Sequence, residues 1–151
     1  MYDKILIPTD GSELSAAAAQ AGIEFARKNG SEVTGLYVAP EYQYPVSMEI
    51  IPPNYPSEEE YEAAMNKTGE GYLAEMRKAA TEAGLKYTGI VAFSNRTAQK
   101  IVQVAGERDC DLIFIGSHGR GGLGQLLLGS VTAKVLSMCE IPVLVFRLKK
   151  R

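Results

Sequence analysis

Gly116-Ser117-His118-Gly119-Arg120-Gly121-Gly122-Leu123-Gly124-Gln125-Leu126-Leu127-Leu128-Gly129-Ser130 follows the apolar run Leu112 to Ile115 and precedes a helical pattern that opens near Ser130. A strand that enters a glycine loop and leaves it through a helix has the layout of a phosphate site. Backbone N–H groups approach an anion closely only where no Cβ intervenes, and a helix N-terminus adds free donors and a positive dipole end. Downstream, the helix runs to about Met138, and Ile141-Pro142-Val143-Leu144-Val145-Phe146 reads as a final strand before the basic end Arg147 to Arg151.

Upstream, the same alternation repeats. Ile5-Leu6-Ile7 is a continuous apolar run ended by Pro8, and Thr9-Asp10-Gly11-Ser12 is turn and helix-cap chemistry. Leu14, Ala18, Ala21 and Phe25 then recur at helical spacing until Asn29-Gly30, and Glu32 to Val38 reads as the second strand. This βαβ unit implies parallel pairing with a right-handed crossover, and the continuous apolar strands imply that both sheet faces are covered. Ser57-Glu58-Glu59-Glu60 forms a capping box for a helix whose Tyr61, Met65, Tyr72, Met76, Ala79 and Ala83 share one face, expected to be core. Tyr87 to Phe93 is the third strand, and Thr97 or a neighbour caps a helix with Ala98, Ile101, Val102 and Ala105 inward. Five strands alternating with four helices predict a doubly wound α/β domain. Its ligands are expected beyond the carboxyl ends of the strands, where Pro8 to Gly11 and Gly116 onward both lie.

A length of 151 residues suits one domain, spanning 1–151. The formal net charge of −2, with scattered basic residues, gives no basic face for nucleic acid. A single histidine, and two cysteines without CxxC spacing, make a zinc site improbable. Cys110 and Cys139 are expected to be small buried hydrophobes in a reducing cytoplasm. The chain enters its first strand pattern at once, and no apolar run approaches the roughly 20 residues that cross a bilayer, so a soluble, unprocessed protein without a membrane partner is expected. Residues 40–56 interleave five prolines with Tyr42, Tyr44 and Tyr55. They predict a long loop, either a lid or partner contact or a plain surface excursion.

Gly119-Arg120-Gly121-Gly122-Leu123-Gly124 satisfies G-x-G-x-x-G, but the dinucleotide fingerprint opens its domain, whereas here only one helix and one strand remain and they end in Arg147 and lysines. No Gly-Lys-Ser or Gly-Lys-Thr supplies a P-loop lysine, G-x-S-x-G is absent, and His118 has no evident nucleophile partner, so it is taken as a loop residue without catalytic duty.

The pattern that fits is Gly116-x-x-Gly119, nine residues, Gly129-Ser130. With Ile5 to Ser12, Leu36-Tyr37-Val38, Leu127 to Val131 and Pro142 to Val145, the chain resembles the universal stress protein family over nearly its whole length. The resemblance implies a Rossmann-like fold of the adenine nucleotide alpha hydrolase type, with strand order 3-2-1-4-5 and helices on both faces. It also implies binding of ATP or another adenine nucleotide, ADP or AMP. Gly116, Ser117, Gly119, Gly129 and Ser130 would surround phosphates and ribose, with the Ser130 hydroxyl and the N–H groups of Ser130 and Val131 as donors. Thr132 lies alongside and Arg120 adds charge. Pro8, Thr9 and Asp10 would line the opposite wall, and Val38 would read adenine through its backbone. Asp10 would meet either ribose or a phosphate-bound Mg²⁺. Asn95-Arg96 departs from the Gly-Pro that the family often carries before the third helix.

The leading expectation is a cytoplasmic nucleotide-binding stress-response protein acting as a sensor or regulator. A slow Mg²⁺-dependent ATP hydrolase is the second, with no obvious water-activating base in the motif. A third is a dimeric interaction protein in which nucleotide is incidental. The resemblance implies a homodimer through the last strand, Val143 to Phe146, with the downstream protein partner left open.

Overall fold

The computed structural model describes residues 1–118 and 128–149. Nine main elements alternate along the described residues. They are β1 (Lys4–Thr9), α1 (Glu13–Asn29), β2 (Glu32–Ala39), α2 (Glu58–Glu82), β3 (Tyr87–Phe93), α3 (Thr97–Glu107), β4 (Leu112–Gly116), α4 (Ser130–Met138) and β5 (Val143–Phe146). The strands form one all-parallel sheet in the order β3-β2-β1-β4-β5, as expected.

The pleat of β1 explains its unbroken apolar run. Ile5 and Ile7 join one buried cluster with Ala19, Ile23 and Ala26 of α1 and Met76 and Ala80 of α2. Leu6 points the other way, into a cluster with Ala98, Ile101 and Val104 of α3 and Val135 of α4. Side chains alternate across a strand, so a central strand with helices on both faces is apolar at every position. Cys110 lies in the second cluster with Cys139 packed against it; both are free, and burial pushes the Cys110 thiol up, away from the reactive thiolate.

One expectation needs correcting. The buried face of α2 is Gly69, Leu73, Met76 and Ala80, while Tyr61, Met65 and Tyr72 stand at its margin. At Gly69 the helix backbone packs on Tyr37 and Val91, where a Cβ would lie 2.6 and 2.7 Å from their side chains, so the buried stripe runs through this glycine. For α3, the cap falls on Arg96, the neighbour of Thr97, and gives no side-chain bond; the hydroxyl of Ser94 accepts the Arg96 N–H, at 3.0 Å. The capping box of α2 is present, the Glu60 N–H donating to Ser57 Oγ at 3.1 Å.

Residues 40–56 hold only a short 3-10 turn, Pro45–Ser47, yet they are tied down. The Tyr42 ring meets those of Tyr44, Tyr55 and Tyr61 at centroid distances of 5.1, 6.2 and 5.6 Å. Tyr42 donates to the Pro56 carbonyl and Tyr61 to the Pro40 carbonyl, each at 2.6 Å, and Tyr55 donates to Gln43. Asn95 closes the base: its side chain accepts the Glu41 N–H at 3.0 Å and donates to the Glu41 carboxylate at 3.1 Å. The departure at Asn95-Arg96 thus has a local use.

Tyr87 on β3 gives the fold a pH signature. Its phenol donates to the Leu73 carbonyl at 3.2 Å, and burial pushes its pKa from 10.0 up to about 12. The neutral phenol is the form the folded chain favours, so this stabilisation is complete below about pH 10. It is lost as pH rises toward 12, because the unfolded chain releases the proton first. Urea midpoints measured from about pH 9 to about pH 12 should fall more steeply for wild type than for Tyr87→Phe. Identical slopes would remove Tyr87 as the titrating group.

Candidate functional site

The crevice begins with a proline. Backbone groups alternate along β1: the Asp3 carbonyl accepts the Glu32 N–H on the β2 side, and the Lys4 carbonyl accepts the Asp111 N–H on the β4 side. Pro8 shares the parity of Lys4 and therefore faces β4, where it has no N–H to give. Pairing of β1 with β4 accordingly stops at Leu6↔Ile113, although pairing with β2 continues to Thr9↔Tyr37. The two central strands part where the chain direction through the sheet reverses. That is the position at which open α/β sheets receive ligands.

The wall beyond β1 is a tight polar turn. Ser12 N–H donates to Asp10 Oδ1 at 2.9 Å, and Gly11 N–H donates to Thr9 Oγ1 at 3.2 Å. Thr9 Oγ1 and Ser15 Oγ are 3.1 Å apart, and Ser15 Oγ also accepts the Asp10 N–H at 3.4 Å. Ser15, which the sequence reading passed over, thus sits beneath the turn; its signal was a second serine three residues after the Ser12 cap. Gly11 has φ +79°, a conformation costly for any residue with a Cβ.

The opposite wall joins the end of β4 to the start of α4. The Ser117 N–H donates to the Phe146 carbonyl of β5 at 2.8 Å, and the Gly129 N–H donates to the Ser117 carbonyl at 2.8 Å. A Cβ on Gly129 would lie 2.9 Å from His118 Cα, so the two ends of the loop touch backbone to backbone. Thr132, 2 % exposed, donates its hydroxyl to the Gly116 carbonyl at 2.8 Å and braces this frame from below. His118 Nδ1 lies 3.2 Å from Ser117 Oγ. Gly129, not Ser130, is the cap residue of α4 and offers no side chain to it; Ser130 is the exposed first helical residue, followed by Val131. Gly129 therefore gives no side-chain bond to the first-turn N–H groups, which form the positive end of the helix.

Val38 stands one residue beyond the last paired position of β1 with β2. Glu32 directs its N–H to β1 and Val33 directs its N–H to the β3 side, so Val38 shares the parity of Glu32. Its backbone groups face β1 at the level where that strand ends. Pro8, Thr9 and Asp10 thus lie at the end of β1, Val38 lies near the end of β2, and Gly116, Ser117, Gly129, Ser130, Val131 and Thr132 lie where β4 ends and α4 begins, all on the carboxyl side of the parallel sheet. Gly119 and Arg120 lie outside the described residues. Among the described residues no group of three or more His, Cys, Asp or Glu is placed to hold a metal ion, and no helix is long and apolar enough to cross a membrane.

Comparison with known proteins agrees with this geometry. The universal stress protein family matches residues 1–147. Universal stress protein MJ0531 of Methanocaldococcus jannaschii is 35% identical over 152 residues, covering 100% of this chain and 85% of that one. Among solved structures, MJ0577 of the same archaeon superposes with a TM-score of 0.82 at 30% identity, covering 100% and 99% of the two chains. The universal stress protein of Archaeoglobus fulgidus in complex with dAMP superposes with a TM-score of 0.64 at 20% identity, covering 95% and 97%.

Proposed function

The chain belongs to the universal stress protein family, and on that premise we propose that it binds an adenine nucleotide in the crevice between the Pro8 to Asp10 turn and the start of α4. The observation that carries this is the parting of β1 from β4 at Pro8, on the same side of the sheet as the glycine-capped N-terminus of α4 that follows β4. The dAMP named with the Archaeoglobus fulgidus protein points to the ligand class. Phosphates fit the N–H groups of Ser130 and Val131 with the Ser130 hydroxyl beside them, adenine fits the Val38 backbone, and Arg120 adds positive charge. Asp10 serves the ribose or a Mg²⁺ on the phosphates. The glycine motif offers no obvious water-activating base, which favours a protein that holds nucleotide as a signal over one that hydrolyses it. We read it as a sensor or regulator in the cytoplasm, where its two free cysteines are at home. Two copies pair along β5.

Calorimetric titration with ATP, ADP and AMP tests the site. Ser130→Ala is expected to bind roughly tenfold more weakly, the value of one charge-assisted hydrogen bond. Equal affinity in both proteins would remove Ser130 from the site, and no binding of any of the three by wild type would sink the proposal. Repeating the titration with Asp10→Asn separates its two roles. A loss confined to Mg²⁺-containing buffer assigns Asp10 to the metal, and a loss in both buffers assigns it to the ribose.

A further inference from the structure

We propose that Tyr72 is a positioning residue of the crevice: its ring, seated on Gly11 and met edge-on by Tyr37, holds the Asp10 turn in the form that receives the nucleotide and ties that turn to α2. The inference rests on the nucleotide site proposed above.

Three contacts converge on it. An ideal Cβ on Gly11 would lie 2.2, 2.5 and 2.6 Å from Cζ, Cε1 and Cε2 of Tyr72, so the ring occupies the space that every other residue type would claim at position 11. The Tyr37 and Tyr72 rings pack in a T-shaped arrangement, with centroids 5.4 Å apart and planes at 79°. Tyr37 lies opposite Thr9 in the ladder and immediately before Val38. The pair of rings therefore backs both the β1 turn and the end of β2. Finally, a Cβ on Gly69 would lie 2.6 Å from Tyr37 Cδ1 and 2.7 Å from Val91 Cγ2. At Gly69 the helix backbone rests on these two side chains of the sheet with no side chain of its own between, and Tyr72 follows one turn later.

The core of α2 does not require this ring. Its buried residues are Gly69, Leu73, Met76 and Ala80, with Tyr72 only partly buried beside them. The same helix carries Tyr61, whose hydroxyl holds the Pro40 carbonyl two residues beyond Val38. One rigid helix thus touches the segment after β1 through Tyr72 and the segment after β2 through Tyr61. A shift of either wall is felt by the other and by the tyrosine-clasped loop.

Hydrogen exchange of the ligand-free protein and calorimetric titration with ATP test the role, using Tyr72→Leu and Tyr72→Phe. In Tyr72→Leu, the Asp10, Gly11 and Ser12 amides are expected to exchange at least about tenfold faster while amides of β4 and α3 keep their rates, and ATP binding is expected to weaken roughly tenfold. Tyr72→Phe keeps the ring and should restore both to within about threefold of wild type. Unchanged exchange at residues 10–12 in Tyr72→Leu overturns the proposal, as does a Tyr72→Phe protein as impaired as Tyr72→Leu. Should Tyr72→Leu fail to fold, Tyr72→Met takes its place with the same expectations. If wild type binds no ATP, the nucleotide site itself is wrong, and the exchange rates still decide whether Tyr72 holds the turn.

Discussion

Gly129→Val is expected to weaken ATP binding at least about 100-fold and to lower stability by about 1–3 kcal/mol, whereas Gly116→Ala is expected to alter affinity alone. The difference lies in what each missing Cβ would meet. At Gly129 it would lie 2.9 Å from His118 Cα and 3.0 Å from His118 Cβ. The first of these is backbone, and no rotamer change relieves it. Valine would push Gly129 away from Ser117, breaking the 2.8 Å bond from the Gly129 N–H to the Ser117 carbonyl. The start of α4 would move off the end of β4 with it. Thr132, bonded to the Gly116 carbonyl, resists that movement, so the strain falls on the site. At Gly116 the nearest atoms are Leu14 Cγ at 3.5 Å, Ala18 Cβ at 3.6 Å and the His118 carbonyl oxygen at 3.6 Å, which is ordinary contact. The fold has no need of glycine there, and Gly116→Ala should unfold within about 0.5 kcal/mol of wild type. Thermal unfolding paired with calorimetric titration separates the two cases. A Gly129→Val protein with wild-type melting temperature and affinity would show that the loop closes in some other way.

Much of this architecture is legible in the sequence because its local signals are strong and mutually consistent. Ile5-Leu6-Ile7 reads as a central strand because it is apolar on both faces, and it feeds both clusters. Ser57 and Glu60 announce the start of α2, and their reciprocal bonds are formed. What escapes the sequence depends on neighbours brought from afar. Pro8 reads as the end of a strand, yet β1 runs on to Thr9, and the effect of the proline falls on one side only, the side facing β4. That side cannot be known before the strand order is known. The buried stripe of α2 runs through Gly69, which in a helix reads as a weak point and in the fold packs on Tyr37 and Val91. Tyr72 reads as one more apolar residue in a stripe, because the glycine it covers lies sixty-one positions earlier. Ser130 looks like a cap on composition alone; Gly129 takes that position because only glycine fits against His118. The loop of residues 40–56 has a composition that resists regular structure, and its order comes from tyrosine hydroxyls reaching carbonyls of Pro56, Pro40 and Gln43.

Val145→Pro is expected to convert a dimer of this chain into a folded monomer. The strand β5 lies at the sheet edge beside β4. Its parity is fixed by two bonds: the Ile113 N–H donates to the Pro142 carbonyl at 3.0 Å, and the Ser117 N–H donates to the Phe146 carbonyl at 2.8 Å. Even-numbered residues therefore face β4, and the backbone groups of Val143 and Val145 face outward. All four side chains of the strand are partly buried against one cluster or the other. The surface left for a second copy is thus chiefly a row of backbone donors and acceptors, and no lysine within β5 protects it. A lysine at position 145 would disturb the cluster shared with Ile113 and Val135 as well as the edge, confounding the two effects. Proline at 145 removes an outward N–H, the setting in which edge strands tolerate it, and keeps an apolar side chain against the cluster. Leu144→Pro is the matched control: it deletes a donor facing β4 and is expected to cost about 3 kcal/mol or more. Light scattering should give a dimer mass for wild type and half of it for Val145→Pro, with circular dichroism unchanged. A Val145→Pro protein that stays dimeric would place the contact on another surface, and a monomeric wild type would remove the pairing altogether. Since the Phe146 carbonyl also anchors Ser117, the strand that offers this edge is the one that holds the start of the loop at the proposed nucleotide site.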